Sequence, residues 1–388
     1  MQNKKRILII SEAHLIKTFV QATVEKIKEE TGTQFDCFIT SPVDKKTRQS
    51  LASVFENVFV NEYPKGVIKR LPKLRVIQSI YGLRKIARRL PDYDIAHIHF
   101  HDSYYSLFAS IIRRKAKKLF LTFYGGDFHH INNLKHWFNQ KTMNLIDGVF
   151  AENEVMLEDI AERYKVNRQE KKIGTLIFLM NNLISFDPFL KNHTNYSAKK
   201  KWDIEKGVIV CAYSAGAVMR HKMIINALNQ VASKLTGYKM IFPMTYGWRG
   251  DETRAMVKEE LKSCSFDSLV LEEYLPIEKL QALRLAADIF INIPSRDQLA
   301  ASLMEHLAAG SVVITGKWLP YSGLVEKGVY FIEMETPLDL PRVLSSVLDN
   351  LEDHRNKSKV NRKIILNMMS WDSIKINWYK YYELKQKA

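Results

Sequence analysis

Cysteine is scarce: there are three in 388 residues, Cys37, Cys211 and Cys264, far apart in the chain. No CxxC pair and no zinc-ligand spacing is present, which argues against a disulfide scaffold or a structural zinc module. Cys37 and Cys211 fall in strand-like runs and read as small core residues of a reducing compartment. Long apolar runs are missing too. None approaches the roughly 20 residues needed to span a bilayer. The basic start MQNKKRILII meets Ser11–Glu12 too soon for a signal peptide. A cytoplasmic protein is expected. GxGxxG is absent, which weakens a dinucleotide-binding reading, and there are no internal repeats or low-complexity tracts. Acidic residues are outnumbered, 42 against 58 basic, giving a formal charge of +16. Such a balance favours an anionic partner, whether phosphorylated ligand, acidic lipid or nucleic acid, without choosing among them.

What is present is a regular alternation. Apolar β-branched runs at Arg6–Ser11, Gln34–Ile39, Val58–Val60, Ile95–His99, Lys118–Phe123, Gly148–Ala151 and Lys172–Ile177 are separated by helical patterns such as Ile16–Glu30, Tyr104–Arg114 and Val155–Tyr164. A second series starts at Val208–Tyr213 and continues through Lys239–Phe242, Ser268–Leu271, Asp288–Asn292, Ser311–Thr315 and Val329–Ile332. Strands alternating with helices predict parallel βαβ units in doubly wound sheets, whose ligands bind at the strands' C-terminal ends. The fold class is therefore α/β with two Rossmann-like domains, 1–188 and 205–360. The polar, turn-rich tract SFDPFLKNHTNYSAKKK suggests a linker over 189–204. The tail 361–388 carries Trp371, Ile374, Trp378 and Tyr381 at helical spacing, an apolar stripe that needs a docking surface.

One stretch organises the second half: ADIFINIPSRDQLAASLMEHLAAGSVVITG, Ala287–Gly316. It reads as strand, loop, helix and strand, with Gly310 placed as the helix terminator. Asp297 and Glu305 are eight residues apart, about 12 Å along a helix rising about 1.5 Å per residue. That is too far for one acid/base pair and suits gripping two ends of an extended ligand. The small residues Ala300, Ala301 and Ser302 let a ligand approach the helix N-terminus, where free N–H groups and the dipole favour phosphate.

Acid-x7-acid followed by a small residue, Gly and a strand resembles the donor-site signature of GT-B glycosyltransferases, especially family 4 and its relatives. The resemblance implies two domains facing a cleft, a closing helix (here beginning Ser370-Trp371-Asp372) that crosses back to the first domain, and no metal or other cofactor. It implies that Asp297 lies by the transferred sugar and that Glu305 hydrogen-bonds the nucleotide ribose. The first acid is Asp where the family usually has Glu, and RDQLAAS replaces the usual EGFG lead-in. In YSAGAVMRHK, Gly216, Arg220 and Lys222 match the family's diphosphate cradle, and His221 resembles the His of relatives that transfer deoxyamino sugars from TDP donors. A Gly-containing loop, a helix N-terminus and two cations suit a diphosphate in any case. Tyr246, Gly247 and Trp248 of FPMTYGWR are candidates for the base pocket.

In the first half, LTFYGGDFHH resembles the family's strand–His–Gly–x–Asp loop. Gly125, Gly126 and Asp127 carry over, Tyr124 stands in place of the His, and His129 is a candidate for that role. Asp127 is the candidate general base if the reaction inverts, and otherwise a helix N-cap. Glu12 and His14, in the first loop, are candidate acceptor contacts. His97, His99 and His101 recur at period two, but neighbours on one strand diverge and make a poor metal triad. Lys65–Leu90 holds nine Lys/Arg and no acid, interleaved with apolar residues. Basic and apolar residues at helical spacing suit an anionic membrane surface, and aromatics are too sparse there to favour single-stranded nucleic acid. The expected function is transfer of a sugar, with retention, from a nucleoside-diphosphate sugar to a glycan or lipid-linked saccharide at the inner face of the cell membrane, in cell-surface polysaccharide synthesis. The alternatives are a nucleotide-sugar epimerase on the same fold and a non-catalytic nucleotide-binding module.

Overall fold

The computed structural model describes residues 4–62, 72–129, 131–247 and 249–385. The chain divides into two compact units, 1–180 with 371–388, and 181–370.

The first unit runs β1 (Arg6–Ser11), α1 (Ala13–Leu15), a π-helical segment (Ile16–Val20), α2 (Gln21–Thr31), β2 (Gln34–Ile39), α3 (Lys45–Ala52) and β3 (Val58–Val60). It continues with α4 (Pro72–Arg89), β4 (Tyr93–His99), a 3-10 turn (Ser103–Leu107), α5 (Ala109–Lys115), β5 (Ala116–Thr122), α6 (Gly126–His129), α7 (Asn133–Met143), β6 (Gly148–Ala151), α8 (Glu154–Tyr164) and β7 (Lys172–Thr175). The seven strands are parallel in the order β3-β2-β1-β4-β5-β6-β7. Such a sheet is covered on both faces, which is why β1 and β2 are apolar nearly throughout rather than alternating. Side-chain caps start the helices where the sequence supplies them: Asp44, Asn132 and Asn153 each accept from a backbone N–H three residues on. Gly32, at φ 68°, ends α2 in the left-handed conformation.

The second unit runs α9 (Asn181–Asn192), α10 (Asn195–Lys201), β8 (Gly207–Cys211), α11 (His221–Gln230), β9 (Tyr238–Pro243), α12 (Gly250–Leu261), β10 (Asp267–Leu271) and α13 (Ile277–Ala286). Then follow β11 (Ile289–Ile291), α14 (Ala301–Ala309), β12 (Val312–Gly316), α15 (Ser322–Glu326), β13 (Ile332–Met334), α16 (Leu340–Asp349) and α17 (Leu351–Met368). Its six parallel strands have the order β10-β9-β8-β11-β12-β13. Gly310, at φ 86°, terminates α14 as its position suggests.

Three boundaries differ from expectation. The tract expected as a linker over 189–204 is largely helical. Leu183, Phe186, Phe189 and Leu190 are buried at helical spacing, so α9 persists through Pro188. Thr194 and Ser197 then form a reciprocal capping box that starts α10. The chain leaves the second unit at Ser370, so α17 belongs to that unit and only α18 (Trp371–Tyr382) returns to the first. There Trp378 is fully buried and donates to Ile177 O at 2.8 Å, while Tyr382 meets His97. The helix expected at Tyr104–Arg114 splits into the 3-10 turn and α5. Cys37 and Cys211 are fully buried, and burial raises both thiol pKa values well above their ordinary range. No helix among the described residues is long and apolar enough to cross a membrane.

Candidate functional site

In the second unit three loops leave the C-terminal ends of β8, β9 and β11 and are bonded to one another. Ala215 N donates to Tyr246 O at 2.6 Å, and Ser295 N to Val218 O at 2.9 Å. Gly247, at φ 141°, lies flat against the first loop. A Cβ there would stand 2.2 Å from Gly216 N, so only glycine fits. Gly216 N in turn donates to Ser214 Oγ at 3.3 Å.

Arg220 takes the left-handed conformation (φ 56°) at the N-cap of α11. Its guanidinium lies 5.1 Å from the centre of the Trp318 ring and makes a long 3.5 Å contact with Ile293 O. Trp318 is itself fixed by a bond to Pro294 O at 2.8 Å. An Arg so stacked keeps most of its five donors for a ligand. His221 is buried, and its Nε2 donates to Ser214 O at 2.8 Å. Burial lowers its pKa, so the ring is neutral and Nδ1 is left as an acceptor with no protein partner. In the first turn of α14 the buried Ser302 Oγ is likewise unpartnered. Tyr246 is half-exposed and lies near parallel to the exposed Tyr274, ring centres 6.2 Å apart and planes 10° apart. Trp248 lies outside the described residues.

The remaining donor candidates are placed differently from expectation. Lys222 turns to Glu260 on α12, at 2.8 Å, because the next helix offers it a carboxylate. Glu305 is buried and both of its oxygens are engaged. Arg284 Nε donates to one at 2.9 Å and Asn182 Nδ2 to the other at 3.2 Å. Arg284 NH1 also reaches His306 Nε2 at 3.2 Å. Burial, then the Arg284 charge, holds His306 well below its ordinary pKa and therefore neutral. Asp297 accepts from Tyr321 OH at 2.5 Å, Tyr213 OH at 3.2 Å and Gln298 N at 2.8 Å. Burial raises its pKa from the ordinary carboxylate value. Both acids of the acid-x7-acid segment are thus engaged by partners within the protein.

Sequence reasoning missed Arg284, Tyr213 and Tyr321. The signal for Arg284 was a lone charge in the apolar run LQALRLAAD. The tyrosines carried none, since their role comes from chain 24 and 84 residues from Asp297.

In the first unit, the loop after β5 is built around Asp127. Its oxygens accept from Tyr124 N at 2.9 Å and His101 N at 2.7 Å, and Gly125 (φ 99°) permits the turn. Burial pushes its pKa up to about 6. Asp127 is thus buried inside the first turn of α6, where it ties the loop at Tyr124 to His101, and is neither the helix N-cap nor an exposed base. Tyr124 is stacked on Phe178 at 5.0 Å and bonded to His99 Nδ1 at 3.1 Å. His129 follows in α6, packed against Phe128. His14 is exposed and pairs with Glu12 at 3.4 Å. The three histidines are core side chains. His97 is bonded to Tyr382 OH (2.7 Å) and Thr122 Oγ1 (2.8 Å), His99 stacks on Trp378, and His101 stacks on Phe123.

No known family model matches the chain, and no curated protein matches it in sequence. Solved structures do match. A glycosyltransferase from Rickettsia africae ESF-5 superimposes with a TM-score of 0.71 at 17% identity, covering 98% of each chain. Sucrose-phosphate synthase from Thermosynechococcus elongatus gives 0.71 at 12% identity, again over 98% of each. Anabaena HepE in complex with UDP and glucose gives 0.71 at 12% identity, over 98% of this chain and 99% of its own. The architecture is thus the α/β fold of GT-B glycosyltransferases.

Proposed function

We propose that the protein is a glycosyltransferase that uses a nucleoside-diphosphate sugar. The observation that carries this reading is a stacked but donor-rich cation, Arg220, at the N-terminus of α11, together with the unpartnered hydroxyl of Ser302 in the first turn of α14. Those groups suit a diphosphate. The fold agrees, and its HepE relative was solved with UDP and glucose. In the proposed reaction the bond from the anomeric carbon to the diphosphate oxygen breaks and a bond to an acceptor hydroxyl forms on the same face. The hydroxyl proton passes to the leaving phosphate. Arg220 and the N–H groups opening α14 stabilise the charge that develops on that leaving group, and no metal is needed. Tyr246 and Tyr274 offer a ring surface for the base. Glu12, His14, Gly125, Gly126 and His129, in the first unit's strand-end loops, would receive the acceptor. That acceptor is a glycan or lipid-linked saccharide of cell-surface polysaccharide synthesis, met at the cytoplasmic face of the membrane through the basic helix α4. Residues 65–71 of the basic stretch lie outside the described residues.

A second reading has its own support. Because Asp297 and Glu305 are both engaged internally, a nucleotide-binding module without transfer activity is the competing proposal. A thermal-shift panel of UDP, GDP, TDP, ADP and CMP separates the possibilities when paired with product analysis of the matching nucleotide sugar. Ligand at about 100 times its Kd adds about 2.7 kcal/mol to stability. Selective stabilisation by one diphosphate, lost in Arg220→Ala, supports the donor site, and consumption of its sugar nucleotide only with acceptor present supports transfer. Conversion without acceptor indicates an epimerase. Binding with every sugar left intact indicates the module, and no stabilisation by any nucleotide rejects the donor site altogether.

A further inference from the structure

Five large apolar side chains of the first unit are more than half exposed on two helices. Val76, Ile77 and Tyr81 are on α4, and Leu134 and Trp137 are on α7. The two helices lie on one face of the sheet, since Leu83 and Ala87 of α4, Ile111 and Ile112 of α5 and Met143 of α7 join the same core cluster. Right-handed crossovers require that placement. Each helix runs from the strands' C-terminal edge back toward their N-terminal edge, so its exposed apolar residues, all in its N-terminal half or near its middle, sit toward the C-terminal edge. The 3-10 turn Ser103–Leu107 packs against both helices there, with Tyr104 and Leu107 half-buried. The apolar groups on α4 and α7 therefore flank a shared apolar element and are not isolated side chains.

The charge carried by α4, α5 and α7 has one sign. The α4 sequence has Lys73, Arg75, Arg84, Lys85, Arg88 and Arg89, α5 has Arg113, Arg114 and Lys115, and α7 has Lys135 and Lys141, and none of the three has an acid. Carboxylates near these cations are in loops: Asp102 beside Lys135, Asp92, which pairs with Lys115, and Asp147, which pairs with Arg113 at 3.5 Å. The tract ends at α8, which carries Glu154, Glu158, Asp159 and Glu162. On α7, Lys141 Nζ stands 4.0 Å from the centre of the exposed Trp137 ring, an indole and ammonium held together at the surface. Exposed Trp, Leu and Ile among an excess of cations match the headgroup zone of an anionic bilayer, which takes rings and aliphatic tips below and phosphates above.

We infer that α7 is a second membrane foot beside α4, with Trp137 and Leu134 entering the headgroup zone of an anionic lipid surface. This rests on the membrane association proposed above and adds what α4 alone does not supply, a fixed orientation. Two feet turn the C-terminal edge of the first unit's sheet, with its Glu12 and Gly125 loops, toward the lipid. One helix would leave the unit free to roll about that helix's axis.

The test is flotation of the full chain with phosphatidylcholine vesicles, with and without 30 mol % phosphatidylglycerol (about one lipid in three, enough to set a surface potential). It compares wild type, Leu134→Ser/Trp137→Ser and Ile77→Ser/Tyr81→Ser, each checked for unchanged thermal unfolding. Wild type is expected to float only with the anionic vesicles, and each double variant to bind on the order of tenfold more weakly. Indole fluorescence quenched by brominated lipid in wild type but not in Trp137→Phe would place that ring in the bilayer. If the α7 variant binds like wild type while the α4 variant does not, α7 is no foot and the membrane reading survives. If wild type binds neither vesicle, both fail. If it binds single-stranded RNA at the same ionic strength and no vesicle, the partner is nucleic acid and the inference is overturned.

Discussion

Truncating Glu305 should destabilise the second unit strongly, and the reason lies in its partner. Arg284 and Glu305 are 7% and 5% exposed at their side chains, and the Arg284 guanidinium bonds Glu305 and reaches His306. Glu305→Ala leaves that cation buried without a counter-charge beside an imidazole that is already neutral. Breaking a buried pair from one side costs about 3–5 kcal/mol. In a unit of this size each kcal/mol moves the melting temperature by about 2–4 °C, so a fall of about 6–20 °C is expected by circular dichroism. Glu305→Gln keeps an oxygen in place and should fall less. Arg284→Met/Glu305→Leu removes both charges and should recover most of the loss, within about 1–2 kcal/mol of wild type, because the paired charges contribute little net over a packed apolar substitute. A Glu305→Ala protein melting within about 2 °C of wild type would refute the argument, as would a double variant less stable than either single one. The same result decides how nucleotide binding is read. Loss of binding in Glu305→Ala alone would not show a ribose contact, because the helix that carries Ser302 would be disturbed too.

Other perturbations follow from the same geometry. Arg220→Ala should weaken diphosphate binding by about tenfold or more with only a small change in melting temperature, as calorimetric titration and a melt would show. Gly247→Ala should cost about 2–4 kcal/mol, from backbone strain and overpacking against Gly216, and abolish nucleotide-induced stabilisation. His101 is buried with neither ring nitrogen partnered, and burial lowers its pKa to about 4. The unfolded chain then binds the proton first, so stability is lost as pH falls from about 6.5 toward 4, and His101→Phe should be more acid-resistant by about 2–3 kcal/mol at pH 4.5 in urea titrations. Asp127 has the opposite sign. With its pKa raised to about 6, the folded state binds the extra proton between about pH 4 and 6, and its contribution falls as pH rises through that window. Asp127→Asn should remove that slope, seen as wild type minus variant so that the histidine effects cancel.

The strands were legible because a parallel sheet buries both faces and writes itself as continuous β-branched runs. β1, β2, β3 and β6 fall where the pattern puts them. The helices α9 and α10 were not legible, because Asp187, Pro188 and Asn192 gave turn chemistry while the decisive information, burial of Phe186 and Phe189, was tertiary. At the site, Arg220 and Gly216 could be found because loop and helix start are local in sequence. The fate of Glu305 could not. Its acid-x7-acid spacing is visible in the chain, but the residue that claims it, Arg284, arrives from another helix 21 residues upstream.

The burial of Asp297 and Glu305 changes what the segment does, not whether it matters. A carboxylate that accepts from two tyrosines and a backbone N–H ties three pieces of chain together, the loop after β8 through Tyr213, the loop after β12 through Tyr321 and its own loop through Gln298. Asn292, at the start of that same loop, also donates to Tyr321 OH, at 3.0 Å. That loop carries Ile293 and Pro294, whose carbonyls hold Arg220 and Trp318. The position of Arg220 therefore depends on the acid indirectly. A variant that keeps the shape but removes the charge, Asp297→Asn, should shift diphosphate affinity through Arg220 and leave Arg220→Ala unchanged when the two are combined. A double-mutant cycle in a titration assay measures that coupling, and additive losses would separate the two residues.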